Sequence, residues 1–242
     1  MSAFLRDVIA IEGPDASRFL HSLVSQDVAS MAVGEVRWSF LLQPQGKLVS
    51  FFRITRLEDQ APGVGSFELE MDAGLGGSTE SALRRYLIRT KAILRLEVDV
   101  AREWLAESER IESGIPAWGR ELTEATIPNE TGWASAAVSF TKGCYVGQEL
   151  VERIDSRGGN VVKRLCRLEL TGSVGTDGRG ELLLDGKQVG ALTSAYADGA
   201  GHGVGLGYVR REVSVGATVS IVWPSPELGE TTAVVRSVPD PL

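Results

Sequence analysis

Past residue 160 the chain offers strand after strand and no helix between them. Six short runs, Val161–Leu170, Glu181–Leu184, Gln188–Tyr196, Val204–Arg210, Thr218–Trp223 and Thr231–Val238, alternate with turns such as Thr176-Asp177-Gly178, Asp185-Gly186 and Asp198-Gly199. Strands spaced this closely, with no helix to cover a face, bury their apolar sides by closing on themselves or by stacking. A small antiparallel barrel or sandwich is therefore expected. The texture changes after Arg157-Gly158-Gly159, which places a boundary near residues 156–160 and divides the chain into 1–157 and 158–242.

The first hundred residues have a different grammar. Val8–Ile11 predicts a strand, and a helix follows from about Ala16 with Phe19, Leu20, Leu23 and Val24 at helical spacing. Two strands, Glu35–Leu42 and Lys47–Thr55, are joined by Gln43-Pro44-Gln45-Gly46, a turn sequence. Phe67–Met71 alternates like a half-buried strand. Gly76–Thr79 opens a second helix with Ala82, Leu83, Tyr86 and Leu87 expected inward, and Ala92–Val98 is another strand. This order gives an α+β fold with helices on one face of an antiparallel-rich sheet. Ala101–Ser113 predicts a helix with Trp104, Leu105, Ser108 and Ile111 on one side. Ile115–Ala137 predicts a long loop of the kind that tends to be functional.

Composition narrows the function classes. No apolar run approaches the roughly 20 residues needed to span a bilayer, and the N-terminus lacks the pattern of a secretion signal. Two cysteines, Cys144 and Cys166, and two histidines, His21 and His202, make a self-contained metal centre improbable. A cytoplasmic, metal-free protein is expected. A net charge of −7 opposes nonspecific nucleic-acid binding. One segment runs the other way: Leu83–Arg95 carries five cations and no acid. It is either the solvated face of a helix or a landing strip for an anionic tail or partner.

Chemistry concentrates in Phe140-Thr141-Lys142-Gly143-Cys144-Tyr145-Val146-Gly147-Gln148-Glu149-Leu150-Val151-Glu152. A thiol stands between a cation and an aromatic ring, with Gly143 and Gly147 free to take positive φ or to admit another backbone closely. A helix starting at Gly147 and the Lys142 ammonium would both favour a Cys144 thiolate if the side chain points their way. The plainer reading is a tight strand-to-helix turn with a small buried cysteine.

Lys142-Gly143-Cys144-Tyr145-Val146-Gly147-Gln148-Glu149 resembles the hallmark of the YgfZ branch of the aminomethyltransferase superfamily, which also contains the glycine-cleavage T-protein. Further likeness lies in Gly13-Pro14-Asp15-Ala16, Leu23–Val28, Pro44-Gln45-Gly46-Lys47, Arg110–Pro116, Ile127-Pro128-Asn129-Glu130, Val189–Ser194 and Gly205–Val209. The resemblance implies an N-terminal aminomethyltransferase-like folate-binding fold, a C-terminal antiparallel β-barrel, and an abbreviated middle module between Leu96 and Arg110. It implies tetrahydrofolate or a derivative as cofactor, with Glu130 on the aminopyrimidine edge, where a carboxylate matches paired N–H donors. Gln148 and Glu149 fall in the same cofactor-binding set. Arg110 and Arg153 would steady the loop or meet the folate glutamate. Cys144, Lys142 and Tyr145 would form the reactive group.

The T-protein's aspartate after the glycine hairpin has no counterpart: Val49 and Ser50 stand there, so aminomethyl transfer by that route is not expected. The resemblance points instead to an accessory factor for iron–sulfur cluster assembly or repair in client enzymes, including those that modify tRNA. Its partners would be folate and iron–sulfur client or assembly proteins, with no direct nucleic acid and no membrane, and the family default is a monomer. A folate-dependent one-carbon transferase or demethylase using Asp27, Asp72 or Glu149 is the second reading, and a folate-free docking module the third. Cys166 is expected to pack inward without a chemical role.

Overall fold

Contacts divide the chain into two units. The first comprises Met1–Trp104, Glu124–Pro128 and Trp133–Arg153, and the second Leu105–Thr123, Asn129–Gly132 and Ile154–Leu242. The computed structural model describes residues 2–197, 199, 201–224, 229 and 231–239; in the expected Asp198-Gly199 turn, Asp198 lies outside the described residues. The chain changes unit after residues 104, 123, 128, 132 and 153, so the units are not the two consecutive pieces 1–157 and 158–242.

The first unit is built on β1 (Ser2–Gly13), β2 (Val36–Leu42), β3 (Leu48–Leu57), β4 (Gly65–Asp72) and β5 (Ile93–Trp104), with α1 (Ala16–His21) and α2 (Gly76–Arg84) in the connections. The strands form an antiparallel sheet in the order β2-β3-β4-β1-β5. Ile9, Ile11, Phe40, Phe52, Ile54, Leu69 and Met71 are fully buried, as alternation along β-branched and aromatic strands requires.

Three expectations need correction. Residues 101–104 are not helical; β5 continues through them, paired with Ser2–Leu5 of β1, and helix resumes only at α3 (Glu107–Glu112). Helix propensity in Ala101-Arg102-Glu103-Trp104 is overridden by tertiary pairing. Arg102 binds Glu68 at 2.9 Å, and the Trp104 ring lies under the guanidiniums of Arg6 and Arg53, 4.1 and 4.4 Å from its centroid. The stretch between Leu96 and Arg110 is thus consumed by strand, a short link and helix. Next, α2 stops at Arg84, so Tyr86 points outward, 43% exposed, while Leu83 is buried. Finally, α1 ends at His21; Leu23 and Val24 are buried from the turn beyond it.

A bulge interrupts the β1–β5 ladder. Val8 faces Glu97 and Arg6 faces Val100, so three steps on β5 oppose two on β1, and Asp99 takes φ +52°. Buried Asp7 holds it: one carboxylate oxygen accepts the Asp99 N–H at 3.1 Å, the other those of Gly74 and Gly76 at 2.9 and 2.8 Å.

The second unit contains α3, the last two residues of a short 3-10 turn (Pro128–Glu130), and a closed antiparallel barrel. Its strands are β6 (Lys163–Thr171), β7 (Gly180–Leu184), β8 (Lys187–Ala197), β9 (His202–Arg210), β10 (Thr218–Val222) and β11 (Thr231–Ser237), ordered β10-β11-β6-β9-β8-β7. Cys166, Leu168, Leu182, Val209, Val219 and Val235 fill its interior. Cys166 is an inward strand residue, as expected, and burial pushes its thiol pKa up.

Candidate functional site

The turn carrying Cys144 is built by lacing residues 136–142, from the end of α4 (Ala134–Ala137) onward, onto the loop that follows α1. Ser25 Oγ donates to the Ala137 carbonyl at 2.6 Å, the Ser139 N–H donates to the Ser25 carbonyl at 3.0 Å, and Gln26 Nε2 donates to the Ala136 carbonyl at 2.8 Å. Lys142 completes the seam. Its ammonium donates to the carbonyls of His21, Val24 (2.7 Å) and Gln26 (3.0 Å) and stands 5.2 Å from the Tyr145 ring centroid. All three donors of the ammonium are therefore spent on backbone. This differs from the expected service to the Cys144 thiol: the cation anchors the turn.

Beyond Lys142 the chain comes out and goes back in. Gly143 and Cys144 are exposed, and Tyr145 is 6% exposed. The Tyr145 N–H donates to Gln148 Oε1 at 3.0 Å, so Gln148 closes the turn at the start of α5 (Gln148–Asp155). Burial first, and Glu152 second, push the phenol pKa well up, and the Tyr145 Oη is buried with no hydrogen-bond partner among the described residues. A thiol is thus presented to solvent between two anchored neighbours.

The two glycines differ in role. Gly147 has φ +81°, and a Cβ there would meet the Gln43 carbonyl oxygen at 2.5 Å and Leu42 Cβ at 2.8 Å. Gly46, at φ +83° in the β2–β3 turn, faces Leu150 of α5 in the same manner, its virtual Cβ 2.7 Å from Leu150 Cβ. The β2–β3 turn and the start of α5 therefore interlock backbone to backbone. Gly143 has nothing within 4 Å of a virtual Cβ and no positive φ; the expectation that it admits close approach is not met.

The remaining residues scatter. Glu149 and Arg153 lie on α5, their side chains 91% and 52% exposed, and approach each other at 3.9 Å. Arg110 belongs to the second unit and is buried there. It donates to Glu107 at 2.7 and 2.8 Å, to Glu121 at 3.1 Å, to Ser194 Oγ at 3.0 Å and to the Ile115 carbonyl. Of its two expected roles, this geometry serves loop stabilisation and leaves no donor for a ligand carboxylate. Glu130, half-buried, lies in the same unit and ends the 3-10 turn that begins at Pro128. Sequence reasoning missed the aromatic cluster of the first unit, in which half-buried Trp38 stacks on Phe51 at 4.6 Å and meets Trp104 and Trp133 edge-on. The signal present in the sequence was the density of aromatic residues in β2 and β3: Trp38, Phe40, Phe51 and Phe52.

Lys142 also carries a pH signature. Burial pulls its pKa down to about 8, with Asp27 acting the other way. Between pH 8 and the ordinary lysine value, the unfolded chain then binds more proton at this site than the folded one, so stability from this group rises with pH. Unfolding midpoints of the wild type relative to Lys142→Met are expected to climb from about pH 8 to 10. A flat or falling difference would contradict the burial.

No family model matches the chain. A solved structure of the glycine cleavage system aminomethyltransferase T from Bartonella henselae superposes with a TM-score of 0.76, covering 98% of this chain and 86% of that one at 18% identity. The chain has the aminomethyltransferase fold. Aminomethyltransferase of Thermotoga petrophila is 27% identical over 232 residues, 95% of this chain and 58% of that protein. The mitochondrial iron-sulfur cluster assembly factor IBA57 homolog of Neurospora crassa is 24% identical over 246 residues, 73% of this chain and 56% of that protein. A provisionally named chloroplastic transferase of Arabidopsis thaliana is 40% identical over 119 residues, 48% of this chain. The chain therefore spans only 26%, 56% and 58% of the Arabidopsis, Neurospora and Thermotoga relatives. Within this aminomethyltransferase-like frame, the position after the β2–β3 turn holds half-buried Val49 and fully buried Ser50. Among the described residues no helix is long and apolar enough to cross a membrane, and no group of three metal-ligating side chains occurs.

Proposed function

We propose that this protein is a tetrahydrofolate-binding accessory factor for iron–sulfur cluster assembly or repair, acting on client enzymes that include tRNA-modifying ones. The observation that carries the reading is the contrast between an open thiol and occupied carboxylates. Cys144 is presented to solvent on a braced turn. The three acids that a one-carbon transferase could use are committed or exposed. Asp27 accepts the N–H groups of Ala29 and Ser30 and pairs with His21, Asp72 pairs with Arg6, and Glu149 points into water. Likeness to a protein named as an iron–sulfur cluster assembly factor supports the same reading.

Within the first unit, the buried Tyr145 Oη and Ser50 Oγ lack internal partners among the described residues, which a polar ligand such as a reduced pterin would supply. Glu130, in the second unit, is a half-buried carboxylate, the type of group that matches the N–H donors of an aminopyrimidine edge; the two observations stand independently. Bound tetrahydrofolate would supply a carrier for a one-carbon unit. The chain's own residues would orient it and hold the Cys144 turn in place, and any cluster would be shared with the client, since one thiol cannot hold it alone.

Calorimetric titration with tetrahydrofolate is the deciding experiment. Binding is expected for the wild type and is expected to weaken by about tenfold or more in Glu130→Ala. In cells lacking the native protein, Cys144→Ala is expected not to restore client activity while still binding folate. Full restoration by that variant, or wild-type protein that shows no folate binding, would overturn the reading.

A further inference from the structure

The basic segment that follows α2 is a held knuckle, not a solvated helix face. The helix ends at Arg84, and the chain from Arg85 to Lys91 stands out before β5 begins. Its base is pinned: Asp15 Oδ2 accepts the Lys91 N–H at 2.8 Å and the Asp15 N–H donates to the Lys91 carbonyl at 3.2 Å. Gly13 permits that approach, since a Cβ there would meet the Lys91 carbonyl oxygen at 2.2 Å. At the tip Arg89 adopts φ +55°, a conformation that non-glycine residues seldom take.

Two cations of the segment are spent within the unit, Arg84 on Glu80 and Arg95 on Glu12. Arg85, Arg89 and Lys91 are exposed, and no carboxylate among the described residues pairs with them. Between and beside them stand Tyr86, Ile88 and Ile93, 43%, 75% and 58% exposed. A solvated charge run has no use for three large apolar groups in water, whereas an interface does. The sign of the patch is opposite to that of the chain, whose net charge is −7.

We infer that this knuckle is a docking surface for a protein segment in which acidic residues are interspersed with large apolar ones. The cations would steer the acidic partner and set its register, while Ile88 and Tyr86 would supply the buried contact. The apolar component distinguishes such a partner from a free polyanionic tail. Glu97 and Asp99, exposed further along β5, are carboxylates that would repel a broad anionic surface, which favours a narrow peptide. The inference is independent of the folate reading.

The test measures binding of a fluorescent peptide with Glu and Asp interspersed among Leu and Phe, alongside an all-Glu peptide of equal charge and vesicles of mixed phosphatidylcholine and phosphatidylserine. The mixed peptide is expected to bind the wild type about tenfold more tightly than the all-Glu peptide. It is expected to lose about tenfold in affinity with Arg85→Glu/Lys91→Glu and, separately, with Ile88→Ser. Should the charge reversal fail to fold, Arg89→Gly, which suits the positive φ, removes a cation and is expected to weaken binding severalfold. No binding of the mixed peptide, equal binding by the variants, equal binding of the all-Glu peptide, or binding to vesicles alone would each overturn the inference.

Discussion

Glu121→Ala is expected to destabilise the protein by about 3–5 kcal/mol, read as a lower denaturant midpoint at unchanged slope. The Glu121 side chain is fully buried and both its oxygens are engaged. One oxygen accepts Arg110 Nη1 at 3.1 Å and the Ala117 N–H at 2.9 Å; the other accepts the hydroxyls of Thr193 and Ser194, each at 2.7 Å. Removing the carboxylate leaves a guanidinium buried with only the half-exposed Glu107 as counter-charge. It also strands the Ala117 N–H and the Ser194 hydroxyl proton, while the Thr193 hydroxyl keeps the Leu206 carbonyl at 2.9 Å. Glu121→Gln keeps the shape and one of the two acceptor oxygens and should cost clearly less. A small effect for alanine would show that the cluster is open to water.

Gly147→Ala should be nearly as damaging, by roughly 2–4 kcal/mol, because a positive φ and a backbone collision add at one position. The new methyl would sit 2.5 Å from the Gln43 carbonyl oxygen, and neither that hairpin nor α5 can yield without parting Gly46 from Leu150. Gly143→Ala lies on the same turn but in open surroundings, and is expected within about 0.5 kcal/mol of the wild type. Denaturation of the two variants side by side checks both values. Similar costs at the two positions would mean that the interlock does not bear on stability.

Much of the fold was legible because its signals are local. The barrel strands alternate, and their turns carry residues suited to positive φ, as Asp185 at +51° and Gly186 at +75° show. Residues 101–104 misled because their helical composition is outweighed by pairing with the opposite end of the unit. The site was legible in its residues and not in their roles. Nothing near Lys142 in sequence reveals that its partners are carbonyls 116 to 121 positions earlier. Arg110 gave no sign of Ser194, 84 residues away. Motifs announce which side chains matter; long-range contacts decide what each does.

The bulge at Asp99 has a consequence for how copies of this molecule behave when concentrated. In the first sheet β5 is an outer strand of twelve residues, long enough to serve as a template for a neighbour's backbone. The kink that Asp7 fastens breaks that border into two short pieces of different direction, so a second molecule cannot zip along its full length. The same carboxylate that accepts two N–H groups at the entry to α2 thereby shortens the template that edge pairing would need.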